Sequence, residues 1–159
     1  MFRKLTNAAG SITIAPGMVM ISLSAIALGA AFGGYLPLIA LWMETLEVSF
    51  QQIGIVSGTS ALGIICSAYF APQLAQKYGY VVTINIGLVL AAVMTVLFRY
   101  TENYTAWLAI RFVGGLGLGL HWVLTEAWLA NIVSDHVRTR VMAIYATAIS
   151  VGFAAGPAI

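Results

Sequence analysis

The sequence predicts an all-α polytopic membrane protein, and three observations carry that prediction. Four stretches hold no charged residue: residues 5–43, 48–76, 78–98 and 141–159 are 39, 29, 21 and 19 residues long. Only 8% of the 159 residues are charged, where a soluble domain has about a quarter. The hydrophobic share is 61% and the mean hydropathy +0.96. At 1.5 Å per helical residue, each stretch is long enough to cross roughly 30 Å of hydrocarbon.

Five helices follow in order. The first is expected near residues 16–42, opened by Pro16 and closed ahead of Glu44. The second, near 53–74, is preceded by Ser49 and Gln52, at the spacing in which each side chain caps the other's backbone N–H. Gly79 is expected to end it in the left-handed conformation, and the third runs near 80–98. The fourth, near 105–130, is the one span that carries ionisable groups well inside its ends. The fifth starts near 137, with Asp135 as its expected cap, and runs on to 159. Short connections force neighbouring helices to run antiparallel.

Composition also excludes. Seven basic and five acidic residues give a net charge of +2 with no basic stripe, which removes nucleic-acid binding. The single Cys66 lies in an apolar run, so no disulfide framework or cysteine zinc site is expected, and no metal or cofactor is implied. Arg3 and Lys4 ahead of an apolar segment imitate a secretory signal, but the segment is far longer than a signal core and four more spans follow.

Lys and Arg are retained on the cytoplasmic side of a membrane. Arg3, Lys4, Lys77, Arg138 and Arg140 fall on one side and Arg99 alone on the other, so a cytoplasmic N-terminus is expected. Trp42, Tyr100, Tyr104 and Trp107 are then expected as an outer aromatic belt, with Tyr78 and Tyr80 at the inner one. Helices pack in lipid through small residues. Nineteen-residue windows of helices 2 and 5 each hold nine Gly, Ala or Ser, against three in helix 3, so helices 2 and 5 are expected inside the bundle and helix 3 at its edge. Four pairs show the four-residue small spacing: Gly29 with Gly33, Gly54 with Gly58, Gly115 with Gly119, and Gly152 with Gly156.

An ionisable group inside a span costs about 2.5–3.5 kcal/mol at the bilayer centre, which makes such residues functional candidates. Helix 4 holds Arg111, His121 and Glu126. At about 100° per residue, Gly115, Gly119, Trp122 and Glu126 all fall within about 80° of Arg111 around the helix. Arg111 and Glu126 are about 22 Å apart along the axis and need separate partners. Plainer roles stand beside these: Arg111 can snorkel to the outer interface, Glu126 can pair with Arg138 or Arg140, and His121, on the flank, can serve packing. Asn103-Tyr104-Thr105 matches a glycosylation acceptor but lies tight against the membrane. An enzyme is not expected. Ser24, Ser60 and Ser67 are scattered singles, and His121 and Glu126 lie about 140° apart on different surfaces.

The ordered features resemble the amino-terminal half of a major facilitator superfamily transporter over nearly the whole chain. Tyr35-Leu36-Pro37-Leu38 resembles the family's proline-containing exit of helix 1. The loop after helix 2 resembles Gly-x-x-x-Asp-Arg/Lys-x-Gly-Arg-Arg/Lys at Lys77 and Gly79, with Pro72, Gln76, Tyr80 and Val81 in place of the other signature residues. Arg111-Phe112-Val113-Gly114-Gly115-Leu116-Gly117 resembles Arg-x-x-Gln-Gly-x-Gly. Arg138 and Arg140 resemble the basic pair before helix 5, and Gly152 to Gly156 with Pro157 resembles its Gly-x-x-x-Gly-Pro. Trp122, Glu126 and Trp128 are similar to one branch, the YcaD-like transporters.

The resemblance implies helices 1–5 of a six-helix half, in a fold of two halves built from inverted repeats around a central cavity. It implies Arg111, Trp122, Glu126 and Tyr35 in the solute pathway or its coupling, Lys77, Gly79, Arg138 and Arg140 in conformational loops, and Gly115, Gly119, Gly152, Gly156 and Pro157 in helix packing. The chain then stops within helix 5. A single partial domain over 1–159 is expected, with helix 6 and the C-terminal half of the transporter missing, and so no transport by the isolated chain. The expected partners are a lipid bilayer, the cell inner membrane, and a small-molecule solute. With no acid in helix 1 and Gln76 for the loop acid, proton coupling through helix 1 and a cytoplasmic latch are not implied. The alternative is a small structural or accessory membrane protein without transport of its own.

Overall fold

The computed structural model describes residues 16–158 and consists of five long helices and a final short turn: α1 Pro16–Thr45, α2 Phe50–Tyr78, α3 Tyr80–Arg99, α4 Tyr104–Ile132, α5 Asp135–Ala155, and a 3-10 turn at Gly156–Ala158. All five are long and apolar enough to cross a membrane. Arg3 and Lys4, used above for orientation, lie outside the described residues.

Each junction has a local cause. Ser49 accepts from the Gln52 N–H while Gln52 Oε1 accepts from the Ser49 N–H at 3.3 Å, the reciprocal box expected from the sequence, so α2 begins at Phe50 rather than near 53. α2 runs a full turn past 74 and stops at Gly79, whose φ of 86° and ψ of 153° lie in the extended mirror region rather than the left-handed helical one. Gly79 is the whole connection, since α3 starts at Tyr80. Thr83, buried at the start of α3, bonds the carbonyls of both Gly79 (2.9 Å) and Leu74 (3.3 Å), which pins the turn from inside. No atom lies within 4 Å of a Cβ placed on Gly79, so a substitution there meets backbone strain alone. Gly79→Ala is expected to cost about 1–3 kcal/mol, read as a lowered midpoint in detergent unfolding.

α4 opens at Asn103, whose side chain accepts from the Ala106 N–H at 3.1 Å; the acceptor asparagine is thus a helix cap. α5 opens two residues earlier than expected. The Ser134 carbonyl receives the N–H groups of Val137 and Arg138, so Asp135 is not the cap but the first helical residue, where its carboxylate pairs with Arg138 at 2.7 Å. Arg138 also donates through Nε to the Ala130 carbonyl at 2.9 Å, closing the end of α4. α1 does not exit at Pro37 but continues to Thr45. Pro37 withholds one N–H from the helix ladder, a loss that membrane helices tolerate.

The described residues form two compact units, residues 36–142 and residues 16–35 with 143–158. In the first, α4 lies between α2 and α3. Cβ positions on Gly63 and Gly115 run into the backbone of the opposite helix, at Phe112 and Ser60 respectively, and Gly119 meets Ile64 and the Ser67 hydroxyl. On its other side, Gly117 lies against Gly87 and Ala91 of α3, 2.6 and 2.9 Å from where its Cβ would stand. Below these contacts Ala71, Ala75, Leu120 and Leu124 form a buried cluster covered by Phe70, Leu74, Tyr80, Ile84 and Val123. At the other end Trp42, Phe98 and Trp107 pack with ring centroids 5.6–5.7 Å apart.

In the second unit, α1 and α5 meet through glycine on both sides. Gly29 and Gly33 face the backbone of Ile149 and Phe153, Gly152 faces Ile26 and Ala30, and Gly156 faces Ala30, Gly33 and Gly34. Phe32 stacks on Phe153 at 6.3 Å.

Two expectations change. Gly54 and Gly58 have nothing within 4 Å, so that pair is not a contact; small spacing permits close approach without requiring it. The small residues of α2 and α5 do serve close packing, Gly63 against α4 and Gly152 and Gly156 against α1. Helix 3 does present an apolar outer face, with Val82, Ile86, Val89, Val93 and Val96 exposed. Trp107 is 2% exposed and donates to the Thr101 carbonyl at 2.7 Å, so it belongs to the core rather than to an interfacial belt, and Trp42 packs on it. Tyr100 stays exposed.

Candidate functional site

α4 is positioned from two sides, and its polar groups Arg111, Trp122 and Glu126 fall around the helix on the same side as Gly115 and Gly119. α3 occupies the side of Gly117 and His121, and α2 the side of Gly115 and Gly119. The His121 ring lies at the Ile84 backbone of α3, which makes it a packing residue between the two helices. Arg111, Leu118, Trp122 and Glu126 fall on the face turned away from α3.

Arg111 is 4% exposed, and its Nε and one terminal nitrogen are shut off from solvent. A snorkelling arginine would carry its guanidinium to the aqueous boundary. Here the guanidinium is enclosed.

Glu126 is half-buried. The Trp122 indole N–H, one turn earlier, donates to its Oε1 at 2.7 Å. The expected pairing with Arg138 or Arg140 is not formed, because Asp135 stands three residues ahead of Arg138 and, with the Ala130 carbonyl, takes up its guanidinium. Arg140 is exposed. Thr125, beside Glu126, turns its hydroxyl back to the His121 carbonyl at 2.6 Å. Trp122 and Glu126 are therefore brought together and Arg111 stands apart on the same face, while His121 and Glu126 address different neighbours. The indole partner is the residue that reading for charge alone misses, although its i,i+4 spacing was visible.

The conformational-loop residues are mostly not in loops. Lys77 lies in the last turn of α2, its ammonium 5.1 Å from the centre of the Tyr78 ring, and Arg138 and Arg140 lie in the first turns of α5. Connections of one residue at Gly79 and two at Val133 and Ser134 leave little room for a loop. Tyr35 is half-buried on α1. Among the described residues no group of three or more His, Cys, Asp or Glu could hold a metal ion.

The sequence pattern of the Major Facilitator Superfamily matches residues 21–159. The chain belongs to that superfamily. Within it, the chain is similar to the quinolone resistance protein NorA of Staphylococcus aureus (strain Mu50 / ATCC 700699), at 25% identity over 127 residues that cover 80% of this chain and 33% of NorA. It is likewise similar to the uncharacterized MFS-type transporter YcaD of Salmonella enteritidis PT4 (strain P125109), at 25% identity over 115 residues, 72% of this chain and 30% of YcaD. The chain thus spans about a third of the length of the curated relatives it matches. The superfamily consists of membrane transporters of small solutes, and five apolar helices with a buried arginine and a half-buried glutamate are what this member brings to that architecture.

Proposed function

We propose that this chain is the N-terminal part of a secondary active transporter that moves a small solute across the cell's inner membrane by alternating access. The observation that carries the reading is the enclosure of Arg111 within a spanning helix, since a charge kept there at such cost is kept for use. The α4 face of Arg111, Trp122 and Glu126 serves as pathway lining, and Tyr35 of α1 is assigned to the pathway by the family resemblance. Gly115 and Gly119 hold α4 against α2, Gly152 and Gly156 bring α5 close to α1, and Pro157 follows in the short terminal turn. Lys77, Arg138 and Arg140 belong to one end of the helices and Arg99 to the other, which supports a cytoplasmic N-terminus.

Cysteine accessibility in membrane vesicles tests both parts. In the complete protein, cysteine at Leu118 is expected to react with membrane-impermeant maleimide from either side, in proportions that a transported solute changes. Cysteine at Val89 on the apolar face of α3 should stay unreactive. One-sided, solute-independent labelling at Leu118 would rule out alternating access. Cysteines at Glu44 and Glu102 should report the outside and at Lys77 and Arg138 the inside; the reverse pattern would overturn the orientation.

A further inference from the structure

Asn85 interrupts the apolar outer face of α3. It is exposed, roughly 7 Å inside the start of the helix at Tyr80. Its Nδ2 donates to the Val81 carbonyl at 2.8 Å, and among the described residues Oδ1 meets no donor. An amide oxygen left in hydrocarbon without a donor costs free energy, and so short a side chain does not carry it to the aqueous boundary.

The residue stands in a regular line. Val82, Val89 and Val96 recur every seven positions, and Asn85, Ala92 and Arg99 recur every seven between them. All six are exposed. At about 100° per residue they share an arc of about 100°, opposite the buried Thr83, Gly87, Ala91 and Phe98. Alternating steps of three and four are the spacing by which two helices interlock along a seam. Valine is already held to one rotamer in a helix, so little freedom is lost on contact, and Ala92 lets two backbones come close near mid-span. Arg99 ends the seam, but its guanidinium is drawn back over the Trp42 ring of α1, 5.6 Å from the centroid, which takes the charge off the line.

On the transport reading above, a further half of the protein that shares the pathway meets α4 on the side of Arg111 and Trp122, about 120° around that helix from α3, and so leaves the back of α3 uncovered. A second copy fits this surface. An asparagine amide both donates and accepts, so two identical ones facing across a twofold axis satisfy each other, as a self-complementary contact requires. Copies inserted with the same orientation are related by an axis along the membrane normal, which sets the two seams parallel and in register. We propose that two copies of the protein associate along the back of α3 about such an axis, with their Asn85 side chains hydrogen-bonded to each other.

The test uses the complete protein in a cysteine-free background, in its own membrane, with copper phenanthroline as oxidant. Ala92→Cys and Val96→Cys, on the seam, are expected to give a disulfide-linked dimer. Ile86→Cys and Leu97→Cys, exposed on α3 but about 100–120° from Asn85, are expected to give little. Energy transfer between differently labelled copies in lipid vesicles then measures the association: Asn85→Val should weaken it about threefold to tenfold and Asn85→Gln should keep part of it, with the thermal midpoint of the fold unchanged. Absence of the dimer at both seam positions overturns the proposal, and so do equal cross-linking at all four positions, which is random collision, a cross-linked product with another protein, and unchanged association in Asn85→Val. If the seam cross-links while Leu118→Cys labels from one side only, the transport reading falls and the dimer stands. If Leu118→Cys alternates and the seam does not cross-link, the dimer falls and the transport reading stands.

Discussion

Gly115→Val is expected to abolish the folded bundle. A Cβ on Gly115 overlaps the backbone carbonyl of Ser60, and a backbone carbonyl in mid-helix has no rotamer by which to yield. Relief requires α2 and α4 to move apart along the line that also holds the Gly63–Phe112 and Gly119–Ile64 contacts. Overpacking in an ordinary core costs about 1–3 kcal/mol; here two branches meet main chain, and a loss beyond that range is expected. Thermal unfolding followed by size-exclusion chromatography in detergent should show little or no monodisperse Gly115→Val protein. Gly58→Ala is the matched control, since nothing stands within 4 Å of its Cβ, and its midpoint should stay within about 0.5 kcal/mol of wild type. Equal loss in the two variants would mean that helix flexibility, not close approach, is what glycine supplies.

That contrast shows how far the sequence could be read. The spans were legible because charge is nearly absent from them, and the α2 start because Ser49 and Gln52 form their box from local geometry alone. The polar face of α4 was legible for the same reason, a property of one helix and its period. What could not be read was which surfaces meet. Gly54 with Gly58 and Gly115 with Gly119 look alike in sequence, and only the arrangement of α2 against α4 makes one pair a contact. Trp107 reads as an interfacial aromatic until its indole is seen bonded to Thr101 and packed on Phe98 and Trp42. Glu126 and Arg138 looked like partners until Asp135 and the Ala130 carbonyl, both nearer to the guanidinium along the chain, were placed. Tight connections also moved Lys77, Arg138 and Arg140 from loops into helix ends.

Arg111→Lys is expected to remove most transport by the complete protein while leaving its abundance in the membrane near normal. The substitution keeps the charge, so insertion changes little. What it removes is the planar fork of N–H donors, which an ammonium on a flexible stem does not reproduce at carbonyl, carboxylate or phosphate oxygens. Because the guanidinium is enclosed, with Nε shut off from solvent, water cannot stand in for the lost donor geometry. A loss of at least one well-formed charged hydrogen bond is worth about 1.5–3 kcal/mol, roughly a tenfold to hundredfold fall in uptake rate. Were Arg111 held only by its reach to the interface, lysine would reach equally well and uptake would survive. Uptake and membrane abundance measured side by side for Arg111→Lys and Arg111→Ala separate the cases. Near-normal uptake in Arg111→Lys would remove Arg111 from the pathway. If both variants instead fell in abundance as far as in uptake, the arginine would be holding the helices together rather than meeting the solute.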